Sequence, residues 1–176
     1  MCGTNGIILS MNVSQDVPNN DVSGTAYHEA GHAVIALYLG RPIQRVSIQP
    51  GHLRLGECQI QRGSFKPSKD QLETEILILL SGAAAEARYV GRYDWGGAIQ
   101  DMRGVNRLVE MRAGGPRQID RLKRRMLDKT EYLLDQPGVW AAIELVAKEL
   151  LQHTIISGRA ARHFFDQAVT LARKNK

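Results

Sequence analysis

The sequence predicts a mainly α-helical domain with a small β-sheet, an α+β arrangement. Three observations predict it. Stretches of good helix formers recur from Ser23 to Arg173, separated by glycine- and proline-bearing breaks. Only IQRVSIQ (43–49) and LRLGECQIQ (53–61) carry a strand-like pattern. The run ILILLSGAAA is apolar nearly all round, which marks a centrally buried helix.

Taken in order, residues 1–20 read as an irregular N-terminal segment and 21–176 as one domain. The first helix is expected from Ser23 to Leu39, stopped by Gly40 with Pro42 just beyond. The two strands follow, with Pro50 and Gly51 as the turn between them. Ser68 and Gln71 fit a capping box that opens a helix running to about Val90. After the glycine-bounded GRYDWGG come helices at 98–112, 117–134 and 139–153, broken by AGGP and QPG. Ser157 is placed to cap a last helix ending near Arg173.

The chain has 176 residues, enough for one domain with a sizeable core. Its net charge of +5 favours acidic partners weakly and bears on no fold. Arg121, Lys123, Arg124 and Arg125 lack interleaved aromatics and a recognised nucleic-acid-binding fold, so they read as a solvated helix face. Cys2 and Cys58 form no CxxC pair and are expected as free thiols in a reducing cytosol. No apolar run reaches the roughly 18–20 residues of a membrane span, and the expected location is cytoplasmic.

The chemistry lies in AYHEAGHAVIAL, residues 26–37. His28 and His32 are i and i+4, so they project from one helix face, about 40° apart. Two imidazoles so placed can both reach one Zn²⁺ at about 2.0–2.1 Å. Glu29 stands beside them as a candidate general base, the zincin arrangement of Lewis acid and base acting on a carbonyl. The competing reading is a surface helix with two solvated histidines. Val34, Ile35 and Leu37 argue instead for burial, where two unpartnered imidazoles would be costly. Gly31 inside a helix costs up to about 1 kcal/mol relative to alanine, and close approach of another backbone is the expected offset. A catalytic zinc wants a third protein ligand. Spacing alone leaves His52, Glu86, Asp94, Asp101, His153 and His163 open.

AYHEAGHAVIALYLG resembles the signature of the peptidase domain of FtsH-type proteases, the M41 family of ATP-dependent zinc metalloproteases. RPIQRVSIQP with LGECQI resembles the family's strand segment. LILLSGAAAEARYVG resembles its LLGGRAAEE helix, and WGGAIQDMRGVNRLVEM its TGASNDL segment. IELVAKELLQHTIISGRAARHF resembles the closing region, so the likeness runs from about Asp21 onward. It implies a helical zinc-metallopeptidase domain over 21–176. The family's third ligand is the aspartate of ASND, which here implies Asp101 with His28 and His32 on Zn²⁺. Asp101 would also sit comfortably in a first helical turn. Glu86 is the alternative ligand, and otherwise an outer partner of a ligand imidazole. The sequence departs from the pattern at Ser81, Ala83, Ala87 and Gln100, which touches packing and leaves the ligands and base intact. No P-loop precedes the domain, and a stand-alone peptidase is expected.

The expected function is a zinc-dependent metalloendopeptidase acting on unfolded or partly unfolded polypeptides. The alternative is a weak or inactive zinc-binding adaptor or regulatory module. Gly56, Glu57, Cys58, Gln59, Ile60 and Gln61 are expected to present a strand edge to an extended substrate, since backbone hydrogen bonds tolerate any sequence. Expected partners are that polypeptide and a separate unfoldase or partner protein. A homo-oligomer is left open, and nucleic acid is not expected. Trp95 reads as a loop-packing residue, with a wall of the substrate cleft as the alternative.

Overall fold

The computed structural model describes residues 22–50, 55–61 and 70–174. Among these, the order is α1 (Val22–Tyr38), β1 (Ile43–Ser47), β2 (Glu57–Ile60), α2 (Gln71–Val90), α3 (Ile99–Glu110), α4 (Pro116–Leu134), α5 (Val139–His153), β3 (Ile155–Ser157) and α6 (Gly158–Lys174). The chain is therefore mainly α with a small antiparallel sheet of strand order β2-β1-β3. Val46 pairs with Cys58 on one side and Ile156 on the other.

α1 packs between α2 and α5 and also touches β1, β2 and α6. Ala26, Ala30, Ala33, Val34, Ile35 and Ala36 have no solvent exposure. The small side chains let neighbours approach from every side, and Val34 and Ile35 each contribute about 1.5–3 kcal/mol by burial. α2 is buried along most of its length, from Thr74 to Ala87, as ILILLSGAAA predicts, but α1 is enclosed more completely. The two helices meet at Gly31, where a Cβ would lie 2.4 Å from the Ser81 carbonyl oxygen and 2.7 Å from Ala85 Cβ. This close approach is the offset expected for a mid-helix glycine.

Local signals set the element ends. α1 stops in a Schellman motif: Arg41 N–H donates to Ala36 O at 2.8 Å and Gly40 N–H to Leu37 O at 3.1 Å, with Gly40 at φ 80°. α2 is capped by Asp70, whose side chain accepts from Glu73 N–H at 2.9 Å. The expected Ser68–Gln71 box is thus replaced by an Asp70-x-x-Glu73 pattern starting two residues later, and Ser68 lies outside the described residues. Cys2 and His52 also lie outside them. Pro116 opens α4, where its missing N–H costs nothing.

Two differences concern the sheet. β2 begins at Glu57, later than the expected 53, and residues 53 and 54 are not described. β3 was not expected at all. Thr154, at φ 62°, ends α5 and turns Ile155–Ser157 onto β1. Ser157 nevertheless does what the sequence predicts, accepting from Ala160 N–H at 3.2 Å at the start of α6. Among the described residues no helix is long and apolar enough to cross a membrane.

Candidate metal centre

α1 and α2 cross at Gly31, so the His28/His32 face lies against the stretch 78–86. Both imidazoles are pinned through Nδ1. His28 Nδ1 donates to Glu86 Oε2 at 2.8 Å, and His32 Nδ1 donates to the Ile78 carbonyl at 2.7 Å. These bonds leave the two Nε2 atoms facing one point. Asp101, in the first turn of α3, supplies the third group there. Its Oδ2 lies 3.0 Å from His28 Nε2 and 3.4 Å from His32 Nε2. The rings are edge-to-face with centroids 4.8 Å apart.

One donor atom from each of His28, His32 and Asp101 lies within 4.8 Å of the others. Two imidazoles and a carboxylate form a donor set suited to zinc, with three protein ligands and room for more. The space is also kept clear. A Cβ at Gly82 would lie 2.4 Å from His32 Nε2 and 2.6 Å from His28 Nε2. The residues present therefore fit a zinc ion, which His28, His32 and Asp101 could hold.

Electrostatics tie the three together. Burial alone would push the His28 pKa down, but hydrogen bonds to Asp101 and Glu86, with the charges of Glu29 and Asp101, hold it up at about 10. Burial would raise Asp101, yet its hydrogen bonds to His28 and His32 hold the carboxyl well below the usual range. The site thus gathers anionic charge around imidazole nitrogens, which a dication would satisfy in place of protons.

Glu29 is 7% exposed and packs under the start of β2. A Cβ at Gly56 would lie 2.6 Å from Glu29 Cγ and 2.7 Å from its Oε1. Cys58, free and packed against the core, has its thiol pushed up by burial and by the charges of Glu29 and Glu57. β2 is an outer strand of the sheet. A groove of about 750 Å³ runs along Glu57–Gln61 toward Ile43, Gln44 and Ser157–Arg159. Gln61 N–H donates to Pro42 O, so alternation turns the N–H of Cys58 and Ile60 to the edge that no strand covers among the described residues.

The other candidates fall elsewhere. Asp94 accepts from the backbone N–H of Gly96 and Gly97. His153 pairs with Glu149 at 3.4 Å, and His163 packs edge-on against Phe164. Trp95 stacks on Tyr93 at 4.6 Å, as a loop-packing residue does. Arg121, Arg124 and Arg125 are exposed on α4. Sequence reasoning did not single out the Ile78 carbonyl, Gly82 or the Gly56–Glu29 contact. A backbone acceptor leaves no residue-type signal, while the two glycines offered a weak one.

Comparison with known proteins agrees with this architecture. The profile of peptidase family M41 matches residues 17–113. The chain is 28% identical over 165 residues to an ATP-dependent zinc metalloprotease FtsH of Protochlamydia amoebophila, covering 92% of this chain and 18% of that protein. It is 27% identical over 143 residues to the mitochondrial inner membrane m-AAA protease component AFG3L1 of Mus musculus, covering 78% and 18%. Over 76 residues it is 38% identical to an ATP-dependent zinc metalloprotease FtsH of Cupriavidus metallidurans, covering 41% and 12%. The chain spans less than a fifth of the length of these relatives.

Proposed function

The chain belongs to peptidase family M41 and is a zinc-metallopeptidase-type domain, and from that premise we propose that it hydrolyses peptide bonds of unfolded or partly unfolded polypeptides. The observation that carries the reading is the convergence of His28 Nε2, His32 Nε2 and Asp101 Oδ2 beside a buried Glu29.

His28, His32 and Asp101 hold the metal. When bound, zinc supplies a Lewis acid that polarises the scissile carbonyl and acidifies water near neutrality. Glu86 and the Ile78 carbonyl fix both rings with Nε2 forward. Glu29 takes the proton from the attacking water and returns it to the leaving amine. The free edge of β2, Gly56–Gln61, pairs with the extended substrate and leads it past Glu29. The departures at Ala83 and Ala87 are buried alanines on α2 and leave these roles untouched.

The test is cleavage of casein by zinc-loaded wild type and Glu29→Gln side by side. The variant should bind zinc as tightly and lose roughly 10²–10⁴-fold in kcat, the contribution of a positioned general base. Equal rates would refute Glu29 as the base. The second reading, a zinc-holding adaptor, is favoured if wild type binds casein and does not cut it.

A further inference from the structure

We infer that Gly56 is a positioning residue: the bare backbone at the foot of β2 holds the Glu29 carboxylate in its working place, and a side chain there would displace it. This rests on the reading of Glu29 as the base.

Glycine at 56 has no local explanation. The described glycines at positive φ are Gly40, Gly91 and Gly138, so backbone conformation does not demand glycine at 56. What requires glycine is contact. The atoms nearest a Cβ at Gly56 are Cγ, Oε1 and Cδ of Glu29, at 2.6, 2.7 and 2.9 Å. Gly56 is itself buried, so the pressure has no outlet toward solvent.

The kind of neighbour decides the consequence, and three glycines around the site differ in it. At Gly31 the added Cβ meets backbone, so the fold must give way. At Gly82 it meets the Nε2 atoms of two anchored rings, so metal must be lost. At Gly56 it meets Cγ, Oε1 and Cδ of the Glu29 side chain, so the carboxylate must shift from its place. The shift falls on a side chain and not on the backbone, so the fold is kept. It removes the base from the reacting water, and misplacement by about 1 Å can cost 10²-fold. Gly56 also immediately precedes Glu57, the first residue of the outer strand. The same backbone that starts the substrate-binding edge thus sets the base, so the register of a bound chain and the position of Glu29 are linked.

The experiment compares wild type, Gly56→Ala, Gly82→Ala and Gly115→Ala, the last a control with no atom within 4 Å of its added Cβ. Zinc affinity is measured by calorimetry, stability by Tm, and cleavage of casein as kcat and KM separately. A peptide hydroxamate, a zinc chelator whose N–OH group can give its proton to a neighbouring base, is titrated into each zinc-loaded protein. For Gly56→Ala the expected result is zinc affinity and KM within about twofold of wild type, with kcat down at least tenfold, part of the roughly 10²–10⁴ a general base supplies. Hydroxamate affinity should fall roughly tenfold or more, the loss of one charged hydrogen bond. Gly82→Ala should instead lose zinc, and Gly115→Ala should match wild type in zinc affinity, kcat and hydroxamate affinity. Unchanged kcat and hydroxamate affinity in Gly56→Ala would overturn the inference. So would a kcat loss that follows zinc loss.

Failure of the underlying reading looks different: Glu29→Gln would then cleave and bind hydroxamate as wild type does. If wild type does not cleave casein, hydroxamate binding decides. A drop in both Glu29→Gln and Gly56→Ala supports the inference; a drop in Glu29→Gln alone overturns it.

Discussion

His28 donates from Nδ1 to Glu86 Oε2 at 2.8 Å, and this bond fixes which ring nitrogen is left for a metal. With Nδ1 engaged, Nε2 faces Asp101 at 3.0 Å. An outer carboxylate of this kind orients the ring and raises its basicity. Glu86→Gln should weaken zinc binding by about 10–100-fold and also lower Tm of the metal-free protein, where Glu86 helps hold the His28 proton. Calorimetric titration of zinc checks it; unchanged affinity would remove Glu86 from the site.

The α1–α2 crossing is a stability feature. A methyl at Gly31 would lie 2.4 Å from the Ser81 carbonyl oxygen, and neither backbone can yield cheaply. Gly31→Ala should destabilise by about 1–3 kcal/mol, as overpacking does. For a chain of this size each kcal/mol lowers Tm by about 2–4 °C. Thermal unfolding in a chelator, which excludes the metal's contribution, measures it directly. An unchanged Tm would mean that the helices separate freely there.

The charge arrangement predicts how pH acts. Without metal the His28 pKa is raised from 6.5 to about 10, so its stabilising contribution is complete below 6.5 and is lost as pH rises toward 10. The Asp101 pKa is lowered from 3.8, so its contribution is present above 3.8 and is lost as pH falls through its depressed value. The metal-free protein should be most stable between these limits. Zinc must displace the His28 proton, so apparent zinc affinity should climb with pH, about tenfold per unit for one proton. Titrations in buffers of different ionisation enthalpy count that proton. Zinc affinity flat from neutral pH to 9 would contradict the prediction.

The strand edge makes a separate prediction. Ile60 turns its N–H away from β1, whereas Gln61 donates to Pro42 O at 2.9 Å. Ile60→Pro should therefore raise KM for casein by roughly 2–10-fold, the worth of one hydrogen bond, with zinc binding intact. Gln61→Pro removes a bond within the sheet and should lower Tm instead. Equal KM for wild type and Ile60→Pro would move the substrate off this edge.

Much of this protein is written in local pattern. The spacing of His28 and His32 puts two imidazoles on one face because helix geometry is fixed. Gly40 and Pro42 end α1, and Ser157 caps α6, for reasons carried by those residues alone. Gly31 announces a close neighbour because glycine within a helix needs an offset. The order of helices and the presence of a small sheet follow from the same kind of reading.

Other features depend on residues distant in sequence. Asp101 was one of several spacing-compatible groups, and resemblance alone singled it out. Its carboxylate reaches the histidines only because α3 packs against α2. Ile155–Ser157 is too short to carry a strand pattern and becomes β3 by pairing with β1. The cap of α2 fell to Asp70 because its side chain meets Glu73 N–H. The Ile78 carbonyl that orients His32, and the backbone of Gly56 against Glu29, have no side chain to read. The sequence by itself determined the His28–Glu29–His32 pattern and the helix that presents it. Tertiary structure alone decided what faces them, because close packing brings together atoms that no local period relates.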